Sequence, residues 1–146
     1  MIVGSINPTR EQIDALAASL PTGQPFMMLN LLTFRKAAAY PPESDDTPCT
    51  GREAYERYAR EALPRIAACG GELLLSGPAG ATVIGPDSER WDAVFIVRYP
   101  HVRAFMDMLR DPGYQAVTRH RTAALADSRL IAFRAGDLDG VSASGN

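Results

Sequence analysis

Phe26-Met27-Met28-Leu29-Asn30-Leu31-Leu32-Thr33-Phe34 decides the architecture of this chain. Strand side chains alternate between two faces. Phe26, Met28, Leu32 and Phe34 therefore point one way, and Met27, Leu29 and Leu31 the other. Both faces are apolar, and apolar surface is stable when something removes it from water. The helices readable in the rest of the chain suffice to cover one face. The second face points to a partner subunit.

Working outward, Asn7 with Pro8 at the first helical position opens a short helix, and Thr9 with Gln12 offers an alternative capping box. Ile13, Leu16 and Leu20 give it an apolar side, and Pro21, Gly23 and Pro25 lead into the strand. After Phe34 comes a polar loop with Pro41, Pro42, Glu43, Ser44, Asp45, Asp46 and Pro48. It is long for a compact domain and reads either as a lid over a pocket mouth or as a solvated loop. Thr50 and Glu53 form a second capping box. The helix behind it carries Tyr55, Ala59, Ala62 and Ile66 inward, holds Pro64, where a kink is expected, and stops at Gly70-Gly71.

Leu73-Leu74-Leu75 begins a second strand, broken by Gly77, Pro78 and Gly80; Ala81 to Ile84 is either its continuation or a short return strand. Trp91 to Tyr99 is a third strand, again apolar on both faces. Pro100 opens a helix with Val102, Phe105, Met106 and Leu109 at helical spacing. Asp111-Pro112-Gly113 interrupts it, a further helix runs from Tyr114 to Ala126, and Ser128 to Arg134 forms the last strand.

After the opening helix the order is strand, helix, strand, strand, helix, strand. That is an α+β chain on the ferredoxin-like βαββαβ plan, with a four-stranded antiparallel sheet and helices on one face. Residues 1–25 are expected to hold the extra N-terminal helix and linker, 26–135 the ferredoxin-like domain, and 136–146 a flexible tail. The open sheet face is expected to be apolar, built from Met28, Leu32, Phe95 and Val97 or from their neighbours. A patch of that kind is a protein interface. The expectation is a homodimer with two-fold symmetry, two sheets face to face forming a dimeric α/β barrel.

Composition narrows the functions. The 146 residues carry a net charge of −2, which gives no basic face for nucleic acid and no polybasic segment for a membrane. No stretch approaches the ~20 apolar residues of a spanning helix, and the first residues do not read as a secretory signal. Cys49 and Cys69 are read as free thiols, so the expected location is cytoplasmic. Two histidines and two scattered cysteines give no zinc spacing. There is no phosphate loop, dinucleotide fingerprint or nucleophile elbow.

Met28-Leu29-Asn30-Leu31-Leu32-x-Phe34, Tyr55-x-x-Tyr58, Gly70-Gly71, Trp91-Asp92, Tyr99-Pro100, Ala104-Phe105-x-x-Met108-Leu109-x-Asp111-Pro112-x-Tyr114-Gln115, His120-Arg121 and Asp127-Ser128-Arg129-Leu130 follow one another in order. Across Phe26 to Phe133 this set resembles the family called domain of unknown function 1330, in the dimeric α/β-barrel superfamily. The resemblance implies a ferredoxin-like protomer and a dimer through the open sheet face. It implies no activity. Related branches include cofactor-free monooxygenases, haem-degrading enzymes and lactone isomerases, and no catalytic residue carries over from them. The N-terminal helix, the acidic loop and the tail are departures from a minimal member.

The residues that could carry chemistry are polar groups inside apolar elements. Asn30, a buried amide, either fixes a ligand carbonyl or phenol or bonds a neighbouring loop. Arg121 shares the helix stripe of Tyr114 and Val117; it meets either an acid, with Asp111 and Asp127 near in sequence, or a ligand anion. His120 borders the same face and is the better general-base candidate, His101 being in a helix's first turn. Trp91, Tyr99, Tyr58 and Tyr55 could line an aromatic pocket. Arg98 either ends its strand at solvent or meets a ligand carboxylate.

Three functions compete on this reading. One is a small enzyme without a tightly bound cofactor, acting on a small apolar carbonyl or phenolic compound, with His120 moving a proton and Asn30 steadying negative charge. The second is a non-catalytic binding or sensing dimer using the same pocket, and the third an assembly module with a filled interior. Haem is not expected, because nothing fixes His120 as an axial ligand. No metal or cofactor is assigned.

Overall fold

The structure is a computed structural model that describes residues 4–136 and Leu138. The tail expected over 136–146 otherwise lies outside the described residues. The elements are α1 (Arg10–Ser19), β1 (Phe26–Phe34), α2 (Gly51–Ala68), β2 (Glu72–Pro78), β3 (Ala93–Tyr99), α3 (Val102–Arg110), α4 (Pro112–Ala124) and β4 (Leu125–Phe133). The four strands form one antiparallel sheet in the order β2-β3-β1-β4. Behind α1 this is the ferredoxin-like split βαβ plan, with two helices in its second crossover.

Local chemistry fixes the helix ends. Thr9, not Asn7, caps α1, and Thr50 caps α2; each closes a full capping box, with Gln12 and Glu53 respectively. Helix α2 continues through Pro64. The His101 ring accepts the Ala104 amide at the start of α3, so α3 begins after Pro100 rather than on it. Asp111 ends α3 and caps α4 by accepting the Tyr114 amide at 3.1 Å, with Pro112 in the first turn. The same carboxylate oxygen meets Arg65 at 2.8 Å, tying this corner to α2.

Register sorts the two sheet faces, because residues directly opposite share a face. Met28 lies between Val97 and Ala132, Asn30 between Phe95 and Leu130, and Leu32 between Ala93 and Ser128. This set faces the helices and builds the core with Phe26, Tyr58, Ala62, Tyr99, Phe105, Met108, Tyr114 and Val117. The alternate set is Met27 with Arg98 and Phe133, Leu29 with Ile96 and Ile131, and Leu31 with Val94 and Arg129. So the open face is built by the neighbours of Met28, Leu32, Phe95 and Val97, and those four residues are covered by helices. Ile131 and Phe133 are exposed there. Arg98 lies on this face, opposite Met27 and Glu72, which removes it from any site on the helix side.

Strand β2 runs on through Gly77 and Pro78, which pair with Val94 and Ala93, and does not break there as the sequence predicts. Register shifts between Leu73 and Leu75, so Leu73 pairs with Val97 on the helix side while Leu75 pairs with Ile96 on the open side, 67% exposed. Ala81 to Ile84 forms no strand; it belongs to an exposed loop, and Trp91 precedes β3 instead of opening it.

Asp111→Ala is expected to cost about 1–2 kcal/mol in urea unfolding, the usual loss of a helix cap. Asp111→Asn keeps the cap and should cost less than about 1 kcal/mol, because an ion pair this exposed contributes little. Equal losses would show that the Arg65 pair, and not the cap, holds the corner.

Candidate functional site

A cavity of about 710 Å³ opens between the helix face of the sheet and α2, α3 and α4. That volume is ordinary for a small-molecule site. Its floor is Met28, Asn30, Phe95, Val97 and Tyr99; Tyr55, Tyr58 and Ala62 of α2 and Tyr114 and Arg121 of α4 form its walls. The remaining wall is α1 and the segment before it, through Ile6, Pro8, Ile13 and Leu16. Helix α1 has no fully buried residue, so it closes the space with half-exposed side chains. The acidic loop plays no such part. Its backbone is stitched to the end of α4, with the Arg35 amide on the Ala124 carbonyl and the Ala39 amide on the Ala123 carbonyl, both at 2.8 Å.

Asn30 is buried and projects into this space from the middle of the sheet. Its Nδ2 donates to the Met28 carbonyl at 3.2 Å. Among the described residues no donor reaches its Oδ1, which leaves that oxygen for an occupant. Tyr58 and Tyr114 share a 2.7 Å hydroxyl–hydroxyl bond. One proton serves that bond, and the accepting hydroxyl keeps its own proton for another partner. Burial pushes the phenols of Tyr55, Tyr58 and Tyr99 well above their ordinary value, with neighbouring tyrosines adding to the shift. Arg121 pulls Tyr55 and Tyr58 the other way, which places its charge beside them. At neutral pH these phenols are hydrogen-bond donors and not bases.

Arg121 does not meet the acids near it in sequence. Asp111 is taken by Arg65, and Asp127 by Arg129 at 2.7 Å. The Arg121 guanidinium donates to the Ile6 carbonyl, bridging α4 to the segment before α1.

His120 and Trp91 stand apart from this space. His120 is 5% exposed, yet it packs under the acidic loop, one helix position and so about 100° away from Arg121. Arg57 donates to the Tyr40 hydroxyl at 3.2 Å, so Tyr40 spends its own proton on His120 Nδ1 at 2.6 Å. The proton of the neutral ring is then on Nε2, 3.9 Å from Glu61 and beyond hydrogen-bond range. Burial holds the imidazole below its ordinary value, and the charge of Arg119 adds to that; Asp46 and Glu61 oppose it. Trp91 lies under the Arg129 guanidinium at 5.2 Å, beside a separate polar cleft of about 440 Å³ lined by the 79–92 loop. Of the residues singled out from sequence, Asn30, Tyr55, Tyr58, Tyr99 and Arg121 converge on the cavity. Tyr114 carries no site signal in the sequence beyond its place in a helix stripe and in the family motif, and its hydroxyl bond to Tyr58 is visible only in the structure.

Residues 46–134 match the family model described as Domain of unknown function (DUF1330). No curated protein matches. A protein of unknown function from Rhodopseudomonas palustris, RPA0582, is 41% identical with a TM-score of 0.82, covering 92% of this chain and 99% of that one. A methylated form of RPA0582 is 42% identical with a TM-score of 0.84, covering 93% and 98%. The hydroxynitrile lyase of Passiflora edulis is 6% identical with a TM-score of 0.54, covering 80% and 97%. At that identity the likeness is one of fold alone.

The neutral His120 gives the fold a sign in pH. Its folded value lies below its unfolded one, so the unfolded chain takes up the proton first as pH falls. The stability it contributes is present above about pH 6.5 and declines below it. Urea midpoints are expected to fall between pH 7.5 and 5.5 in the native chain and to fall less in His120→Gln. Tyr40→Phe should lower the midpoint at pH 7.5 by about 1 kcal/mol of stability.

Proposed function

The chain belongs to the DUF1330 family, whose name assigns no activity, and from that premise we propose that it is a homodimeric small-molecule-binding protein. Its ligand is a small, mostly apolar compound bearing an oxygen acceptor, such as a carbonyl or a phenol, held between sheet and helices. The observation that carries this reading is the free Oδ1 of Asn30 in a tyrosine-lined cavity. Among its described lining residues there is no aspartate, glutamate or histidine. The titratable residues among the described lining are tyrosines and arginines, and burial moves the phenols of Tyr55, Tyr58 and Tyr99 further from neutrality. That favours recognition over the acid–base enzyme in which His120 would act on a substrate beside Asn30, because His120 points elsewhere.

The dimer rests on the open sheet face. Leu29, Leu31, Val94, Ile96, Ile131 and Phe133 form it, and among the described residues the helices all pack on the opposite side. Arg129, at its margin, is already neutralised within its own chain by Glu89 and Asp127, and Arg98 on the same face stands opposite Glu72. A surface both apolar and charge-balanced complements itself, which suits a two-fold interface with a second copy. Cytoplasmic residence belongs to the same proposal, supported by the free thiols of Cys49 and Cys69. No helix among the described residues is long and apolar enough to cross a membrane.

A thermal-shift screen of small phenols and aryl ketones tests the cavity. At about 100 times its Kd a true ligand adds ~2.7 kcal/mol, a shift of several degrees. Asn30→Leu and Ala59→Trp, which remove the amide and fill the space, are expected to abolish that shift. A screen without hits, or hits that survive in Ala59→Trp, would contradict the reading. Stabilisation accompanied by turnover would restore the enzyme. For the assembly, Leu29→Glu should yield protomers with an unchanged far-ultraviolet circular dichroism spectrum.

A further inference from the structure

The charge inside the cavity narrows the ligand further. Two arginines touch its walls, Arg121 and Arg129. Arg129 is satisfied, meeting Asp127 and Glu89 each at 2.7 Å. Arg121 meets no carboxylate among the described residues, and its one hydrogen-bonded partner there is the Ile6 carbonyl. A guanidinium has five donors in a planar fork. The bond to Ile6 uses one of them and orients the group. The phenols beside it, Tyr55 and Tyr58, stay protonated at neutral pH and supply no negative charge. A half-buried cation facing an apolar space without a counter-charge is unfavourable, and an anion in that space reverses the balance.

We propose that the ligand of this cavity is a small apolar monocarboxylate whose carboxylate is held by Arg121. This rests on the cavity being a binding site and adds the charge of its occupant. The carboxylate takes the fork left open by Ile6, since planar bidentate geometry matches a carboxylate. The proton left over from the Tyr58–Tyr114 pair is a further donor in the same wall. Met28, Val97, Phe105 and Leu109 then contact the hydrocarbon part, an aromatic ring or a short chain. Because Ile6 precedes α1, an anion on Arg121 also bears on the segment that closes the cavity.

The test uses an isosteric pair, 4-butylbenzoate and 4-butylbenzamide, titrated calorimetrically into the full chain at pH 7.5. The acid should bind at least about tenfold more tightly than the amide, the scale of a charge-assisted hydrogen bond. In Arg121→Gln the ratio of the two affinities should fall to about one. Arg121→Lys keeps the charge without the fork and should retain part of the preference, so the result does not hang on one variant folding. Equal affinity for acid and amide in the native chain, or a preference that survives Arg121→Gln, overturns the carboxylate and leaves the cavity as a site for neutral ligands. Binding of neither probe overturns the carboxylate assignment too, and only a failed phenol and ketone screen beside it removes the cavity itself.

Discussion

The whole arrangement depends on a central strand that has no side suited to water. Strand β1 lies between β3 and β4, so its two rows of side chains decide the character of both sheet faces. One row, Phe26, Met28, Asn30 and Leu32, sets the floor under the helices. The other, Met27, Leu29 and Leu31, leaves a sheet surface that the described helices do not reach. In the protomer Met27 is already buried and Leu29 and Leu31 are half-buried, while Ile131 and Phe133 beside them are exposed. Fully burying a Leu or Phe is worth about 1.5–3 kcal/mol, a sizeable share of the roughly 5–15 kcal/mol net stability of a domain.

Within the helix-side row one residue breaks the pattern, and the site follows from it. An amide in the centre of an apolar sheet has an oxygen that needs a partner, and the cavity opens above it. The tyrosines of α2 and α4 surround that point with hydroxyls, and Arg121 adds a positive charge. The result is a recess with donors, an acceptor and a cation, and with no aspartate, glutamate or histidine among its described lining residues. The one buried imidazole serves a different purpose. His120 accepts from Tyr40 and helps fasten the acidic loop, together with the Asp46–Arg119 ion pair and the backbone bonds to α4. That loop is a brace on the outer side of the helices, and α1 takes the place at the cavity mouth.

How much of this was legible in the sequence depended on the range of the interaction. Capping boxes are local, so Thr50 with Glu53 marked α2 correctly, whereas Asn7 and Thr9 competed within two residues and only packed geometry chose Thr9. Alternation assigned β1 to two faces, but which face met the helices was a question of handedness and docking that alternation leaves open. The β2 irregularity was hidden because Leu73, Leu74 and Leu75 are identical and carry no mark of where an extra residue sits. Arg121 was placed by its spacing from Tyr114 and Val117, and its neighbour His120 could not be, since 100° of rotation moves a side chain from sheet to loop. Trp91 looked like part of β3 because apolar alternation ran through it. The strand starts only at Ala93, after the Asp92 amide bonds the Leu32 carbonyl and its carboxylate accepts the Phe34 amide.

The claim on which everything turns is that the second face of β1 is covered by another copy of the chain. Sedimentation velocity from 100 µM down to about 1 µM, the range in which a stable interface with a sub-micromolar Kd stays associated, reads it directly. The account predicts one species of twice the 15.8 kDa protomer mass throughout. A monodisperse 15.8 kDa particle at every concentration would contradict it, because Leu29, Leu31 and Ile96 would then be shown to rest stably without a partner.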